Sequence, residues 1–267
     1  MTPSGRESLA ALRGRSLLAN DPLEVERLVA VLHTDGRAGA RTLADAILRR
    51  CEARTREERR LDALLLRARA LRAAGALRIA GVDEAGMGPL AGPVVAAAVV
   101  LPDRPDLPGL DDSKRLTPAA RARLALAIRT QAVAFAVAEV GPDEIDRVNI
   151  YRAGLEAMRR AVVALAGAEG PAVDHLLVDA RRIPGVGAPQ TPIVHGDALD
   201  ASIAAASILA KTHRDACMEA EDMRYPGYGF AQHKGYPTVA HVAALRRLGP
   251  CPIHRRSFAP VAACLAR

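Results

Sequence analysis

The chain has no tryptophan, and aromatic residues make up only 3% of its 267 positions. Its core must therefore be built from alanine, valine, leucine and isoleucine. The apolar half of the composition is enough for one large domain, or one domain with an appendage. Cysteine is scarce too. Cys51, Cys217, Cys251 and Cys264 are widely spaced and none forms a CxxC pair. That spacing does not read as a disulfide framework or a zinc motif, and fits a reducing compartment. There is no apolar leader, and no stretch approaches the roughly 18 uncharged apolar residues of a membrane span. "VVAAAVVL" is too short to cross a bilayer. The sequence thus predicts a soluble, cytoplasmic protein without a membrane partner. Internal repeats and low-complexity tracts are absent. No GK[ST] follows the glycine-rich stretch, which excludes a Walker A loop.

What the sequence has is an excess of positive charge. The formal net charge is +7 and the pI about 9.7. Such a balance suits a polyanionic partner, and equally a solvated arginine-rich surface. The charge is uneven, since residues 1–75 hold 15 arginines, no lysine and 10 acids.

Two regimes divide the chain. Residues 1–75 read as helices only, with apolar residues recurring at three and four and Asp21-Pro22 suited to a helix start. We expect a helical N-terminal extension there and an α/β catalytic domain over 76–267. From residue 76 the period changes. "LRIAGVD", "VVAAAVVL", "AVAFAVAEV", "HLLVDA" and "TPIVHGD" read as strands. "TPAARARLALAIRTQ", "PDEIDRVNIYRAGLEAMRRAVVALAG", "DASIAAASILAKTHRDACMEAEDM" and "TVAHVAALRRLG" read as helices. Strands alternating with helices predict a mixed sheet covered on its faces, with ligands beyond the strand ends.

The acids fall at those ends. Asp83 and Glu84 close the first strand, Asp179 closes "HLLVD", and Asp197 closes "TPIVHGD". One aspartate after a strand is commonly a cap or turn residue. Three such ends together suggest a shared site. Clustered carboxylates repel unless they are protonated or meet cations. Hard oxygen donors suit Mg²⁺ or Mn²⁺. Two such ions, about 3.5–4 Å apart, can hold a phosphodiester for attack by water. The bare loop "AGMGPLAG" beside them offers backbone groups that a sugar–phosphate chain can approach.

Six blocks carry a resemblance. "GVDEAGMGPLAGPV", "DDSKRLTPAAR", "LLVDA", "HGDALDASIAAASILAKTHRD", "YGFAQHKGYPT" and "GPCPIHRRSFAPV" run in order from about Leu77 to Val261. Together they resemble bacterial ribonuclease HII. The resemblance implies a ribonuclease H-like fold with a five-stranded mixed sheet. It implies two divalent ions, Mg²⁺ or Mn²⁺, held by Asp83, Glu84, Asp179 and Asp197. It implies cleavage of the RNA strand of RNA·DNA hybrids and nicking 5′ of a ribonucleotide embedded in duplex DNA, leaving 3′-hydroxyl and 5′-phosphate ends. The family's 2′-hydroxyl-sensing loop falls on Gly86, Met87 and Gly88, and its junction-stacking tyrosine on Tyr236. Ser113, Lys114, Lys211 and Arg214 would position phosphates. His233, Lys234, His254 and Arg255 read as a basic edge. A monomer is expected.

The chain departs from the family pattern at two places. Met87 stands where the family carries arginine, which predicts weaker substrate binding or a softer junction preference with the chemistry intact. His195-Gly196 stands where Lys-Gly is usual, which replaces a lysine with a group mostly neutral at pH 7. The arginine-rich extension would offset these losses if it binds duplex; packing as a helical cap is the other reading. A ribonuclease HIII-type sibling and a non-catalytic hybrid-binding protein remain as alternatives. "DEAG" and "HKGYPT" argue against the sibling, and the four carboxylates against the binding protein.

Overall fold

The structure is a computed structural model that describes residues 7–18, 21–166 and 173–266. The chain forms two compact units, residues 1–60 and 61–267. In the first unit, α1 (Leu9–Leu18), α2 (Pro22–Thr34) and the start of α3 (Ala40–Ala73) enclose a core of Leu12, Leu28, Val29, Leu32, Ala40, Ala44 and Ile47. Asp21 caps α2 by accepting from the Leu23 amide, with Pro22 at the first helical position. The division between the units falls inside α3. Leu64, Leu65 and Ala68 on its second half pack into the cores of the second unit. Helical periodicity reveals an apolar face but not the neighbour that the face will meet.

The second unit continues with β1 (Ile79–Ala85), β2 (Val94–Val100), α4 (Pro118–Gln131), β3 (Ala134–Val140), α5 (Pro142–Val148), α6 (Ile150–Ala166), β4 (His175–Asp179), β5 (Gln190–Ile193), α7 (Gly196–Leu199), α8 (Ala201–Arg224), α9 (Phe230–His233), α10 (Val239–Leu248) and α11 (Ala259–Leu265). The single helix expected over "PDEIDRV…ALAG" is two, broken at Asn149, whose φ is 73°. Its expected last residue, Gly167, lies outside the described residues.

The strands form one sheet in the order β3-β2-β1-β4-β5. β1 pairs antiparallel with β2, and β2 with β3, while β1–β4 and β4–β5 are parallel. Alternation along β2 sends Val95, Ala97 and Val99 to one face and Val94, Ala96, Ala98 and Val100 to the other. The first face is covered by α4, α8 and the end of α3, the second by α5 and α6. Burial on both faces explains why β2 reads as an uninterrupted apolar run.

α8 lies against β1 with almost no spacer. A Cβ placed on Gly81 would stand 2.0 Å from the backbone carbonyl carbon of Ser202. The run of alanines in α8 serves this close approach. We expect Gly81→Ala to cost about 3 kcal/mol, the upper end for an overpacked core. Urea denaturation of the two proteins measures the difference.

Candidate active site

β1 and β4 are parallel neighbours, and Val82 pairs with Val178. Asp83 and Asp179 are therefore next in register on adjacent strands, about 5 Å apart at the backbone. Alternation turns Asp83 toward α8, where Ser207 hydrogen-bonds its carboxylate. Ser207 in turn lies 2.9 Å from the Ser113 hydroxyl. Glu84 turns to the opposite face and pairs with Arg181 at 3.1 Å. Both acids nevertheless border Asp179.

Asp197 does not close a strand as the sequence suggested. β5 stops at Ile193, and Asp197 sits in the first turn of the short α7. The Gly196 amide donates to Asp179 Oδ1 at 2.7 Å, which brings this turn onto the end of β4. A side chain on Gly196 would collide with Ile203 at 2.6 Å. Lys114 completes the group, its Nζ 3.1 Å from Asp197 Oδ2.

The electrostatics follow from burial. Asp83 is 3% exposed. Burial, then the charges of Glu84 and Asp179, raise its pKa well above the carboxylate range. Burial also raises Asp179, and raises Glu84 despite Arg181. Lys114 is raised: burial opposes its charge, but Asp197, Asp112 and Asp83 outweigh it. Buried acids that hinder one another's ionisation are suited to a cation. Glu84 Oε2 is buried and has no hydrogen-bond partner, and the donors are all hard oxygens. The four acids therefore fit divalent ions of the Mg²⁺ or Mn²⁺ kind.

The glycine loop after β1 is braced from behind by two buried guanidiniums. Arg255 donates to the carbonyls of Gly86 at 2.7 Å, Pro89 at 2.8 Å and Gly92 at 2.9 Å. Arg214 donates to those of Pro93, Ala91 and Lys234 at 3.0–3.1 Å. Burial lowers the pKa of both, and Arg214's charge adds to the effect on Arg255. Gly86 has φ +98°, and a Cβ there would lie 2.2 Å from Arg214 Nε, so this position requires glycine. Backbone bonds from Leu90 to Gly235 and from Gly92 to Ile253 tie the "GPLAG", "HKGY" and "CPIH" segments together.

The expected substrate residues divide in two. Gly88 is exposed and faces Tyr236, with 3.8 Å from a Cβ position there to the Tyr236 ring. Tyr236 is 40% exposed. Its carbonyl lies 2.9 Å from His241 Nδ1, and His241 Nε2 lies 3.1 Å from His254 Nε2. Lys211 sits 5.8 Å from the same ring and pairs with Asp215 at 2.7 Å. Met87 folds back on α6, its sulfur 2.9 Å from a Cβ position at Gly154.

Arg214 and Ser113 are corrections. Both side chains are buried, and their polar groups are taken up by loop carbonyls and by Ser207, so neither offers itself to a phosphate. Arg255 and His254 likewise lie inside and form no basic edge. Shared helical spacing placed Arg214 beside Lys211 correctly but could not tell inside from outside. Arg181 was missed. It pairs with Glu84, stacks on Tyr151 with 5.1 Å to the ring centre, and reaches toward Gly154 beside Met87. Its only sequence signal is an arginine two residues after a strand-end aspartate.

The five-stranded order and the acids gathered at the ends of β1 and β4 define a ribonuclease H-like protein. A sequence model of the family described as ribonuclease HII matches residues 80–261. The ribonuclease HII of Anaeromyxobacter sp. (strain Fw109-5) is 56% identical over 96% of this chain and 80% of its own length. That of Myxococcus xanthus is 54% identical over 95% and 85%. Among solved structures, ribonuclease H2 from Pyrococcus horikoshii OT3 superposes with a TM-score of 0.60 at 27% identity, covering 72% of this chain and 98% of that one. Ribonuclease HII of Archaeoglobus fulgidus, solved in a complex with PCNA, gives 0.57 at 25%, covering 68% and 95%. The chain belongs to the ribonuclease HII family and is an enzyme of the ribonuclease H class. No described helix is long and apolar enough to cross a membrane.

Proposed function

We propose that the enzyme cuts the RNA strand of RNA·DNA hybrids and nicks duplex DNA 5′ of a single embedded ribonucleotide. Asp83, Glu84, Asp179 and Asp197 hold two divalent ions, Mg²⁺ or Mn²⁺. The observation that carries this reading is the meeting of four acids at the ends of β1 and β4, with one buried carboxylate oxygen of Glu84 unpartnered. Bound there, such ions lower the pKa of water and neutralise charge gathering on the phosphate.

The chain's own groups supply position. Ser207, itself paired with Ser113, fixes the Asp83 carboxylate, and the Gly196 amide fixes that of Asp179. Lys114 orients Asp197 and stands mostly exposed, ready to meet a phosphate. Exposed Gly88 leaves the loop backbone open to a 2′-hydroxyl, which both donates and accepts and so distinguishes RNA from DNA, while buried Gly86, its carbonyl held by Arg255, sets the turn that presents it. Tyr236, across from Gly88, packs on the deoxyribose that follows. Arg214 and Arg255 hold the loop in shape and touch no substrate. All four acids come from one chain, so a monomer suffices. The free cysteines agree with a cytoplasmic setting.

The test is a comparison of three labelled duplexes: a single ribonucleotide in DNA, a full hybrid, and DNA alone. We expect the first two to be cut and the third left intact. Tyr236→Ala should lose most of the preference for the single ribonucleotide and still cut the hybrid. Binding without cutting of either would favour the non-catalytic reading.

Met87 offers a gain-of-function check. Its side chain rests on Gly154 of α6, and an arginine, too long for that place, would add a cation to the loop that borders the acids. We expect Met87→Arg to tighten binding of the single-ribonucleotide duplex and to steepen the salt dependence by about one phosphate contact, a slope change of roughly 0.9. Binding measured across a salt series reads both.

A further inference from the structure

The spacing of cysteines in the sequence does not read as a zinc motif, because such motifs are recognised from ligands close together in the chain. The fold brings together three that are not. Glu139 lies near the end of the edge strand β3, and His213 and Cys217 lie on α8. One ligand atom from each falls within 4.8 Å of the other two. His213 and Cys217 are four residues apart and so share one face of the helix. His213 Nε2 is 2.5 Å from Glu139 Oε1, and Cys217 Sγ is 3.6 Å from that same oxygen. The trio is open to solvent, with Glu139 exposed and the other two half-buried. None of the three takes part in the nuclease site.

We propose that Glu139, His213 and Cys217 form a second, non-catalytic cation site that takes Zn²⁺. The donor set is an imidazole nitrogen, a thiolate sulfur and a carboxylate oxygen, with the fourth tetrahedral position left to water. This set is softer than the four carboxylates, so the two sites select different metals. Without metal, His213 pairs with Glu139 and the Cys217 thiol donates to the same carboxylate oxygen, so all three groups already converge on one point. In the metal-free chain a proton occupies this place, because Cys217 and Glu139 push His213 up to about 10 against the effect of burial. Zinc would displace that proton and the thiol's. The ion would clip the edge strand β3 to α8, the helix that carries Ser207 and Lys211.

The test uses the full chain, reduced, with Mg²⁺ in excess to hold the carboxylate site. Co²⁺ is titrated in and then displaced with Zn²⁺. We expect one Co²⁺ per chain with a near-ultraviolet thiolate-to-metal band that Zn²⁺ abolishes. Cys217→Ser should lose the band although Cys51, Cys251 and Cys264 remain. It should keep Mg²⁺-supported cleavage, which shows that it folds. His213→Ala and Glu139→Gln should weaken Co²⁺ binding by at least about tenfold, since even outer partners of a metal ligand contribute that much. A thiolate band that is absent, or that survives Cys217→Ser, overturns the proposal. Should Cys217→Ser fold poorly, His213→Ala decides, and unchanged Co²⁺ affinity in it overturns the proposal as well.

Discussion

Asp83→Asn should reduce cleavage by at least about 10³-fold while making the ion-free protein more stable. The loss of rate follows from removing a charged ligand where charge develops on the phosphate. The gain in stability follows from the same burial. Asp83 is almost fully buried, and Glu84 and Asp179 press its pKa well above the usual range. For a carboxyl raised in the folded state, the favourable contribution is complete below the unfolded carboxylate pKa and disappears as pH climbs through the raised value. At neutral pH without divalent ions, an ionised Asp83 is therefore a burden, and asparagine of the same shape relieves it. Each kcal/mol relieved raises the melting temperature by roughly 2–4 °C in a domain of this size. Thermal unfolding in a chelator should place Asp83→Asn above wild type. Adding Mn²⁺ should reverse the order, because wild type then gains the ligand and the variant does not. A substitution that merely damaged the fold would lower both activity and melting temperature.

Arg255→Met should produce the largest loss of stability, at least about 3–5 kcal/mol, the range for a buried charged network that loses one partner. Three loop carbonyls, those of Gly86, Pro89 and Gly92, accept from this guanidinium and are shielded from water. Each buried acceptor left unpaired costs about 1–3 kcal/mol. Arg255→Lys should recover only part, since an ammonium on a flexible stem cannot serve three carbonyls in the fixed fork of a guanidinium. Denaturant midpoints of the three proteins measure this. A stability for Arg255→Met within about 0.5 kcal/mol of wild type, the usual range of a surface change, would mean that the loop does not depend on its brace.

The parts legible in the sequence were those set by local periodicity and chemistry. The apolar runs at 79–85 and 94–100 and the capped helix from Thr117 lie where patterning puts them. Asp83, Glu84 and Asp179 sit at strand ends as the turn-bounded runs implied. Direction of packing was not legible. Arg214 and Arg255 look like surface cations in a basic chain, yet both are fully buried. Only the loop's unpaired carbonyls explain why they are inside, and those become visible only once the "AGMGPLAG", "HKGY" and "CPIHR" segments meet. Asp197 follows the apolar "PIV" closely enough for the pattern to carry a strand up to it, although β5 stops at Ile193 and a helical turn carries the acid. Asn149 at positive φ, which splits one predicted helix into two, has no periodic signature. Arg181 could not be assigned because its partners, Glu84 and Tyr151, are distant in sequence.

The most direct test of the account is the chemistry of the cut. Wild type and Asp83→Asn would be incubated with a duplex carrying one ribonucleotide, in Mg²⁺ and in a chelator, and the product ends identified. The account predicts a nick 5′ of the ribonucleotide with 3′-hydroxyl and 5′-phosphate ends, made only by wild type and only with the ion. A cut that persists in the chelator, persists in Asp83→Asn, or leaves a 2′,3′-cyclic phosphate would contradict it, because water activated at these carboxylates would then not be the nucleophile.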